Sequence, residues 1–266
     1  MRAGSATRLS GATGQGRGRA VVCLSGGMDS CVCAALAARD YDAYAVHFSY
    51  GQRTETRELE SARGVAEKLG FKQFLPLRMD LFRDIGGSAL VDERIAVPDA
   101  PGLDAPGLDG PGLDGPGSAA GLEAVEAMAA RGGEAVPVTY VPFRNAHFLS
   151  AAVSWAEVLG AGRVFIGAVE QDSSGYPDCR PAYYEAFQQV VWRGTRDGNI
   201  LLETPLIAMR KAEIVRLGVA LGAPLDITWS CYSGVGEACG RCESCVLRLR
   251  AFSEAGLEDQ VKYASR

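Results

Sequence analysis

The chain has 266 residues, enough for one large α/β domain or one domain with a small appendage. Its 47% hydrophobic content can supply a full core, and no apolar run approaches membrane-spanning length. A formal net charge of -5 argues against a broad nucleic-acid surface, and with no signal-like apolar segment the chain is expected in the cytoplasm.

Met1 to Gly18 is rich in Gly, Ser and Arg and has no acid, which predicts a disordered tail over 1–18. Arg19 to Leu24 is a short apolar run suited to a buried strand, and Cys31 to Arg39 is an Ala-rich run suited to a helix. Between them stands Ser25-Gly26-Gly27-Met28-Asp29-Ser30. A strand, a glycine turn and a helix in direct succession make an anion site, because free N–H groups and the positive helix end face the loop. Gly26 and Gly27 lack a Cβ, so a phosphate oxygen can approach the backbone, and the hydroxyls of Ser25 and Ser30 add donors. Asp29 would be repelled by phosphate unless a cation lies between them. Mg²⁺, which takes one or two carboxylates together with phosphate oxygens, is therefore expected there. The kinase-type phosphate loop is excluded, since no Gly-x-x-x-x-Gly-Lys-Ser/Thr occurs.

Further along, Ala43 to Phe48 predicts a strand, Ser49 to Arg53 a polar turn, and Thr54 to Leu69 a helix with Leu59, Ala62, Val65, Ala66 and Leu69 as its stripe. Gly70 is its C-terminal cap, and Gln73 to Leu77 a third strand. The order β-α-β-α-β predicts a doubly wound, mostly parallel sheet with its ligand at the carboxyl ends of the strands. Pro98 to Gly133 breaks the pattern. Pro-Gly-Leu-Asp starts at Pro101, Pro106 and Pro111, so the segment is expected to be a flexible insertion with a short helix at Leu122 to Ala130. Order resumes at Val136. A helix is expected from Ala146 to Leu159, a strand at Arg163 to Gly167, and a helix from Pro181 to Trp192. A strand at Ile200 to Thr204 and a helix from Met209 to Leu221 complete the α/β domain, placed at 19–222. The polar stretch Ala168 to Pro181 lies at a strand's carboxyl end, where function is expected.

Four of the eight cysteines crowd into the C-terminal region, 223–266, with the spacing Cys231-x7-Cys239-x2-Cys242-x2-Cys245. In a cytoplasmic chain such a cluster points to metal before disulfides. Four thiolates satisfy a tetrahedral Zn²⁺ with no open position, which makes the zinc structural. An iron–sulfur cluster uses the same ligands and remains an alternative, as do four unrelated buried thiols. A last helix is expected at Glu243 to Ser253. Cys23, Cys31 and Cys33 are expected to be small buried hydrophobes.

The hexapeptide Ser25 to Ser30 resembles the PP-loop of the ATP pyrophosphatases, which cleave ATP between the α and β phosphates and transfer AMP to a carbonyl oxygen. That resemblance implies their adenine nucleotide α-hydrolase-like fold, with a small zinc-knuckle region appended. It also implies an ATP site over Leu24, Ser25, Gly26, Gly27, Met28, Asp29, Ser30, Cys31, Val32, Cys33 and Ala34. More of the chain fits a narrower resemblance. Ser25 to Ser30, Tyr50-Gly51-Gln52-Arg53, Val141-Pro142-Phe143-Arg144-Asn145, Asp172 through Gly175 to Pro181, and Trp229-Ser230-Cys231 with the later cysteines resemble the 7-cyano-7-deazaguanine synthase family of the queuosine pathway. The likeness runs from about Arg19 to Arg250. Two features depart from it: Thr54 stands where many members carry His, and the proline-rich segment is foreign to the pattern.

The resemblance implies that 7-carboxy-7-deazaguanine, ammonia and ATP become 7-cyano-7-deazaguanine through an adenylated carboxylate and an adenylated amide. The partners are then small molecules, with no direct nucleic acid, no membrane, and a homodimer as the assembly. Asp29, Ser30 and Lys211 take catalytic roles, although Lys211 could equally be an exposed helix lysine. Arg144 and Asn145 would hold substrate or phosphate, with a helix cap as the rival role for Asn145. The deazapurine is placed on Asp172 to Arg180. Asp178, or else Asp172, accepts the paired N–H and amino donors of the guanine-type edge, Arg180 grips the carboxylate, and Tyr176 covers the ring. Two other classes stand against this one. A PP-loop enzyme acting on a tRNA base would want a basic face, and a non-catalytic zinc-dependent interaction protein would not need Ser25, Asp29 and Ser30 intact.

Overall fold

A computed structural model of the chain describes residues 17–100, 136–170, 176–234 and 236–264. Residues 1–16 of the expected tail, the helix expected at Leu122 to Ala130, and Asp172 lie outside them. Five strands, β1 (Arg19–Cys23), β2 (Asp42–Ser49), β3 (Gln73–Arg78), β4 (Arg163–Ile166) and β5 (Leu201–Glu203), form one sheet in the order β3-β2-β1-β4-β5. Every pairing is parallel: Cys23 lies opposite Val46 of β2 on one side and Ile166 of β4 on the other. β1 is central, so it is buried on both faces and carries an unbroken apolar run, Ala20 to Cys23. Pro76, which has no N–H to give, sits in β3 at the sheet's edge.

Two cores follow from the alternation of side chains along β1. Ala20, Val22 and Leu24 face α1 (Met28–Asp40), α2 (Glu55–Lys68), α6 (Lys211–Ala220) and α7 (Glu243–Ala255). Val21 and Cys23 face α3 (Leu81–Ile85), α4 (Arg144–Leu159) and α5 (Pro181–Gly194). Small residues set how close the helices come. A Cβ on Gly218 of α6 would lie 2.8 Å from Cγ2 of Val32, so glycine there lets α6 settle onto α1. Gly70 closes α2 in the left-handed region at φ 69°, as its sequence position implies. α4 starts at Arg144, two residues before the expected Ala146. Phe143 takes a left-handed φ of 57° ahead of it and brings Arg144 and Asn145 into the first helical turn. Burial explains Cys23, Cys31 and Cys33: the thiols of Cys23 and Cys31 are pushed up to about 12 by desolvation, the behaviour of inert packing groups.

Beyond β5 the chain folds back over the carboxyl edge of the sheet. Arg248 of α7 is 3% exposed and holds Asp259, equally buried, at 2.7 Å. It also donates to the hydroxyl of Thr228 at 2.7 Å and to the carbonyl of Leu225 at 3.1 Å. Tyr263 completes the group by donating to Asp259 at 2.6 Å. The start of the proline-rich segment is fixed to this region too: the Ala100 N–H donates to the Arg241 carbonyl at 2.8 Å, and Ala100 packs on Val246. No helix among the described residues is long and apolar enough to cross a membrane. Removing one member of a buried ion pair leaves the other charge desolvated. Asp259→Ala should therefore cost about 3–5 kcal/mol of stability. Denaturant titration checks this, and an unchanged unfolding midpoint would count against the assigned role.

Candidate active site

In a sheet of this order the chain leaves β1 and β4 in opposite directions, which opens a crevice at their carboxyl ends. A cavity of about 310 Å³ lies there. Its floor is the turn Leu24 to Gly27 and the first turn of α1. The first bond inside α1 runs from the Cys31 N–H to the Gly27 carbonyl, so the N–H groups of Met28, Asp29 and Ser30 have no acceptor within the helix. No side chain caps this end. The serines shape the loop through one another: Ser25 Oγ donates to Ser30 Oγ at 2.9 Å, Ser30 Oγ donates to the Gly27 carbonyl at 2.9 Å, and the Gly27 N–H donates to Ser25 Oγ at 3.2 Å.

Gly26 has a second reason to be glycine beyond the one its sequence position gives. Its φ is +92°, and a Cβ would lie 2.4 Å from the carbonyl oxygen of Glu58 on α2. α2 therefore packs directly against the turn. Gly167, just past β4, does the same from the other side, since a Cβ there would lie 2.9 Å from the backbone of Asp29 and Ser30. From above, the Trp229 N–H donates to the Gly26 carbonyl at 2.8 Å. Of the eleven positions expected at the ATP site, Leu24, Ser25, Gly27, Met28, Asp29 and Ser30 line the cavity. Cys31, Val32, Cys33 and Ala34 are turned into the core and hold α1 in place.

Lys211 comes to this cavity from α6. Its Nζ lies 2.5 Å from Asp29 Oδ2, and both side chains are partly exposed to the cavity. A lysine in the first turn of a helix opposes the helix dipole, and the Asp29 carboxylate offsets that. Asp29 Oδ1 is buried and has no protein partner. One oxygen on a lysine and one left open is a donor set that fits a divalent cation between carboxylate and phosphate.

The motif Tyr50 to Arg53 forms the next wall, and each residue has a separate task. Tyr50 is buried, its hydroxyl pushed up to about 12 by desolvation, and it accepts a hydrogen bond from Arg144 at 2.7 Å. Gly51 turns at φ 84° and gives its N–H to Glu55. Gln52 accepts from the Tyr50 N–H at 2.8 Å and donates to Glu58 Oε2 at 3.1 Å. Arg53 donates to the carbonyls of Ala89, Asp92 and Ile95 and so fixes the loop after α3. Thr54, in the place where histidine is frequent, donates to Glu58 Oε1 at 2.6 Å.

The segment expected to hold the deazapurine is split by the fold. Tyr176 and Cys179 line the cavity, as do Arg144 and Asn145. Asp178 and Arg180 do not. Asp178 is 4% exposed, and its Oδ2 accepts the Asn145 N–H at 3.1 Å. That N–H is one of the orphans at the start of α4, so Asp178 caps the helix from outside it. Asn145, instead of capping α4, returns a bond to the Asp178 carbonyl at 3.0 Å. Arg180 is exposed ahead of α5. The Asp178 carboxylate thus serves the start of α4, and its side chain does not line the cavity in which the base was expected. His47 is buried against the Leu24 carbonyl, and His147 packs edge-on to Phe82; neither lines the cavity.

Behind Trp229, the sulfurs of Cys231, Cys239, Cys242 and Cys245 all lie within 4.8 Å of one another. Backbone N–H groups of Gly234 and Cys239 donate to Cys231 Sγ at 3.0 and 3.2 Å, and those of Arg241 and Cys242 to Cys239 Sγ at 3.4 and 3.3 Å. Donors aimed at sulfur favour the thiolate, the form that binds metal. The cluster can hold a metal ion, and the donor set fits one.

A family model described as "Queuosine biosynthesis protein QueC" matches residues 19–110 and 114–256. The chain belongs to that family. It is similar to the 7-cyano-7-deazaguanine synthase of Acidobacterium capsulatum, 67% identical over 94% of this chain and 98% of that one. It is likewise similar to those of Koribacter versatilis, 56% identical over 94% of each chain, and Chlorobium chlorochromatii, 48% identical over 93% and 97%. The match is interrupted within the proline-rich segment, at Pro111 to Leu113.

Glu58, like Phe148 and Arg248, is a cavity residue that the sequence did not single out. The available signal was the i, i+4 spacing of Thr54 and Glu58, which puts both on one face of α2 beside the Tyr50 to Arg53 turn. The packing at Gly26 yields a direct test. Gly26→Ala should destabilise the protein by roughly 1–3 kcal/mol through its positive φ alone, with the clash against α2 added. Gly27→Ala, whose Cβ would meet nothing closer than 3.4 Å, should cost less in the same thermal melt. Equal melting of the two variants would show that the close approach of α2 is not needed.

Proposed function

We propose that this chain converts 7-carboxy-7-deazaguanine, ammonia and ATP into 7-cyano-7-deazaguanine. The observation that carries the reading is the uncapped α1 terminus with the Asp29–Lys211 pair beside it, in a chain of the QueC family. A carboxylate is a poor electrophile because its leaving group would be oxide. The substrate carboxylate oxygen attacks the α phosphorus of ATP, the bond to the β-phosphate oxygen breaks, and pyrophosphate leaves. Ammonia then attacks the acyl carbon, AMP leaves, and a proton is lost, giving the amide. A second adenylation on the amide oxygen lets AMP depart with loss of both N–H protons, and the nitrile remains.

The protein's part is positioning and charge neutralisation. The N–H groups of Met28, Asp29 and Ser30 face the phosphates, and Lys211 adds a positive charge as pyrophosphate develops. Asp29 would hold Mg²⁺, which supplies further neutralisation of the triphosphate. Arg144, carried by Tyr50, and Tyr176 would contact the deazapurine, a reading supported by their both lining the cavity. Asp178 and Asn145 act behind them by fixing the start of α4, and Arg180 stands outside the cavity. The four cysteines would hold a structural zinc. Acting on small molecules, the chain would work in the cytoplasm, as a homodimer. The intact loop and its lysine partner argue against a non-catalytic interaction protein, and the net charge of -5 against an enzyme that docks on tRNA.

Pyrophosphate release from ATP should depend on added 7-carboxy-7-deazaguanine, and Asp29→Asn should abolish it without changing the thermal melt. Normal nitrile formation by a folded Asp29→Asn protein would overturn the assignment of Asp29. Elemental analysis should find about one zinc per chain, and chelation should expose the region from Trp229 onward to protease, since a closed thiolate site stabilises by folding around its ion. Iron with acid-labile sulfide in the purified protein would replace zinc with a cluster.

A further inference from the structure

Glu58 has no place in the adenylation chemistry, yet its setting is unusual. It lies on α2, lines the same cavity as Asp29 and Lys211, and is set beside the aromatic residues Phe48, Tyr50 and Phe148. Two neutral donors hold it, Thr54 Oγ1 on Oε1 and Gln52 Nε2 on Oε2. Among the described residues no lysine or arginine forms an ion pair with it. Arg144, whose charge acts on Glu58, gives its hydrogen bond to Tyr50. Desolvation raises the Glu58 pKa, with Arg144 acting to lower it and Glu55 to raise it. A carboxylate taken from water without a cation is costly unless some ligand completes its hydrogen bonds.

The way its oxygens are used narrows what that ligand is. A carboxylate has about four acceptor positions, two on each oxygen. The protein fills one on Oε1 and one on Oε2. Acceptor capacity therefore remains on both oxygens of the one carboxylate. A pair of parallel acceptors matches a pair of parallel donors. The guanine-type edge of a deazapurine offers that pair, a ring N–H next to an exocyclic amino group. The flat rings of Phe48 and Phe148, stacked at 4.2 Å, give the cavity an apolar aromatic wall beside it. A divalent cation fits less well, because the nearest side-chain groups present donors, and the Gln52 oxygen already accepts from Tyr50.

We propose that Glu58 reads the N–H and amino edge of the substrate and so makes the cavity specific for a 2-amino purine-type ring. This rests on the reading of the cavity as a 7-carboxy-7-deazaguanine site. Gln52 and Thr54 are positioning residues that aim the carboxylate. In this role Thr54 needs only its hydroxyl, which gives a function to the residue that stands where histidine is frequent.

The test compares two probes, 7-carboxy-7-deazaguanine and 7-carboxy-7-deazahypoxanthine, the same ring without the 2-amino group. Hydrogen bonds to charged groups contribute enough that the parent protein should bind the second probe roughly 10- to 100-fold more weakly by calorimetry. Glu58→Ala should bind both within about threefold of each other, because no acceptor is left to tell them apart. Glu58→Gln keeps the shape of the wall and should discriminate by an intermediate factor, and ATP affinity should be unchanged in both variants. A thermal melt confirms that each variant is folded; Glu58→Gln carries the test if Glu58→Ala is not. Full discrimination retained by a folded variant would overturn the role of Glu58 while leaving the proposed reaction standing. So would a variant whose only change is a raised KM for ammonium, since that would make Glu58 an ammonium site. A parent protein that binds neither probe would overturn both readings together.

Discussion

The seating of one helix terminus is the constraint on which the rest of this molecule depends. α1 begins at the carboxyl end of the central strand, and its first turn is held without room for a side chain on either flank. Gly26 admits the backbone of α2, Gly167 admits the end of β4, and Trp229 closes over the top through the Gly26 carbonyl. The unpaired N–H groups of the turn are thereby aimed at one place and kept from being capped by the protein itself. A helix end left uncapped costs stability unless water or an anion satisfies it. In the proposed reaction that cost is the condition for binding phosphate, and the core residues Cys31 to Ala34 offset it by anchoring the helix from below.

Three of the charged groups that line the cavity, Arg144, Lys211 and Glu58, are held in ways that leave capacity for a ligand. Arg144 is carried by the Tyr50 hydroxyl and lies over the Tyr50 and Phe148 rings, 5.3 and 5.9 Å from their centres. Lys211 is met by one oxygen of Asp29, whose other oxygen is left open. Glu58 is met by a hydroxyl and an amide. Saturated ion pairs would be more stable but would have nothing to offer a ligand. Arg248 and Asp259 show the contrast, because that pair is closed by five further hydrogen bonds and serves the fold.

Much of this was legible in the sequence because it is local. Ser25 to Ser30 carries its own turn, β1 its own burial, and Cys239 to Cys245 its own ligand spacing. The parallel sheet was legible from the alternation of elements. What escaped was whatever depends on two segments far apart. Gly26 has its tightest neighbour in α2, 32 residues later by the numbering of Gly26 and Glu58. Asp178 is claimed by the start of α4, which precedes it in sequence and gives no sign of needing an external cap. A carboxylate in a polar loop at a strand's end has the same composition whether it faces a ligand or a helix terminus. Only the position of α4 decides between them. Glu58 was hidden for the opposite reason, since a glutamate in the first turns of a helix is ordinarily a solvated one.

The cysteine cluster, though remote from the chemistry in kind, is joined to it through backbone. Cys231 follows Trp229 and Ser230, both of which line the cavity, and Trp229 is the residue bonded to the phosphate turn. Arg248, on the helix that carries Cys245, also reaches the cavity and donates to Ser230 at 3.3 Å. A metal that fixes Cys231 and Cys245 relative to each other therefore fixes the lid residue Trp229 against Gly26. Four separate thiols would leave that short segment tethered at one end only, and the turn would lose its third contact. The small C-terminal region is then the upper wall of the cavity, and a metal on its four cysteines would make that wall rigid.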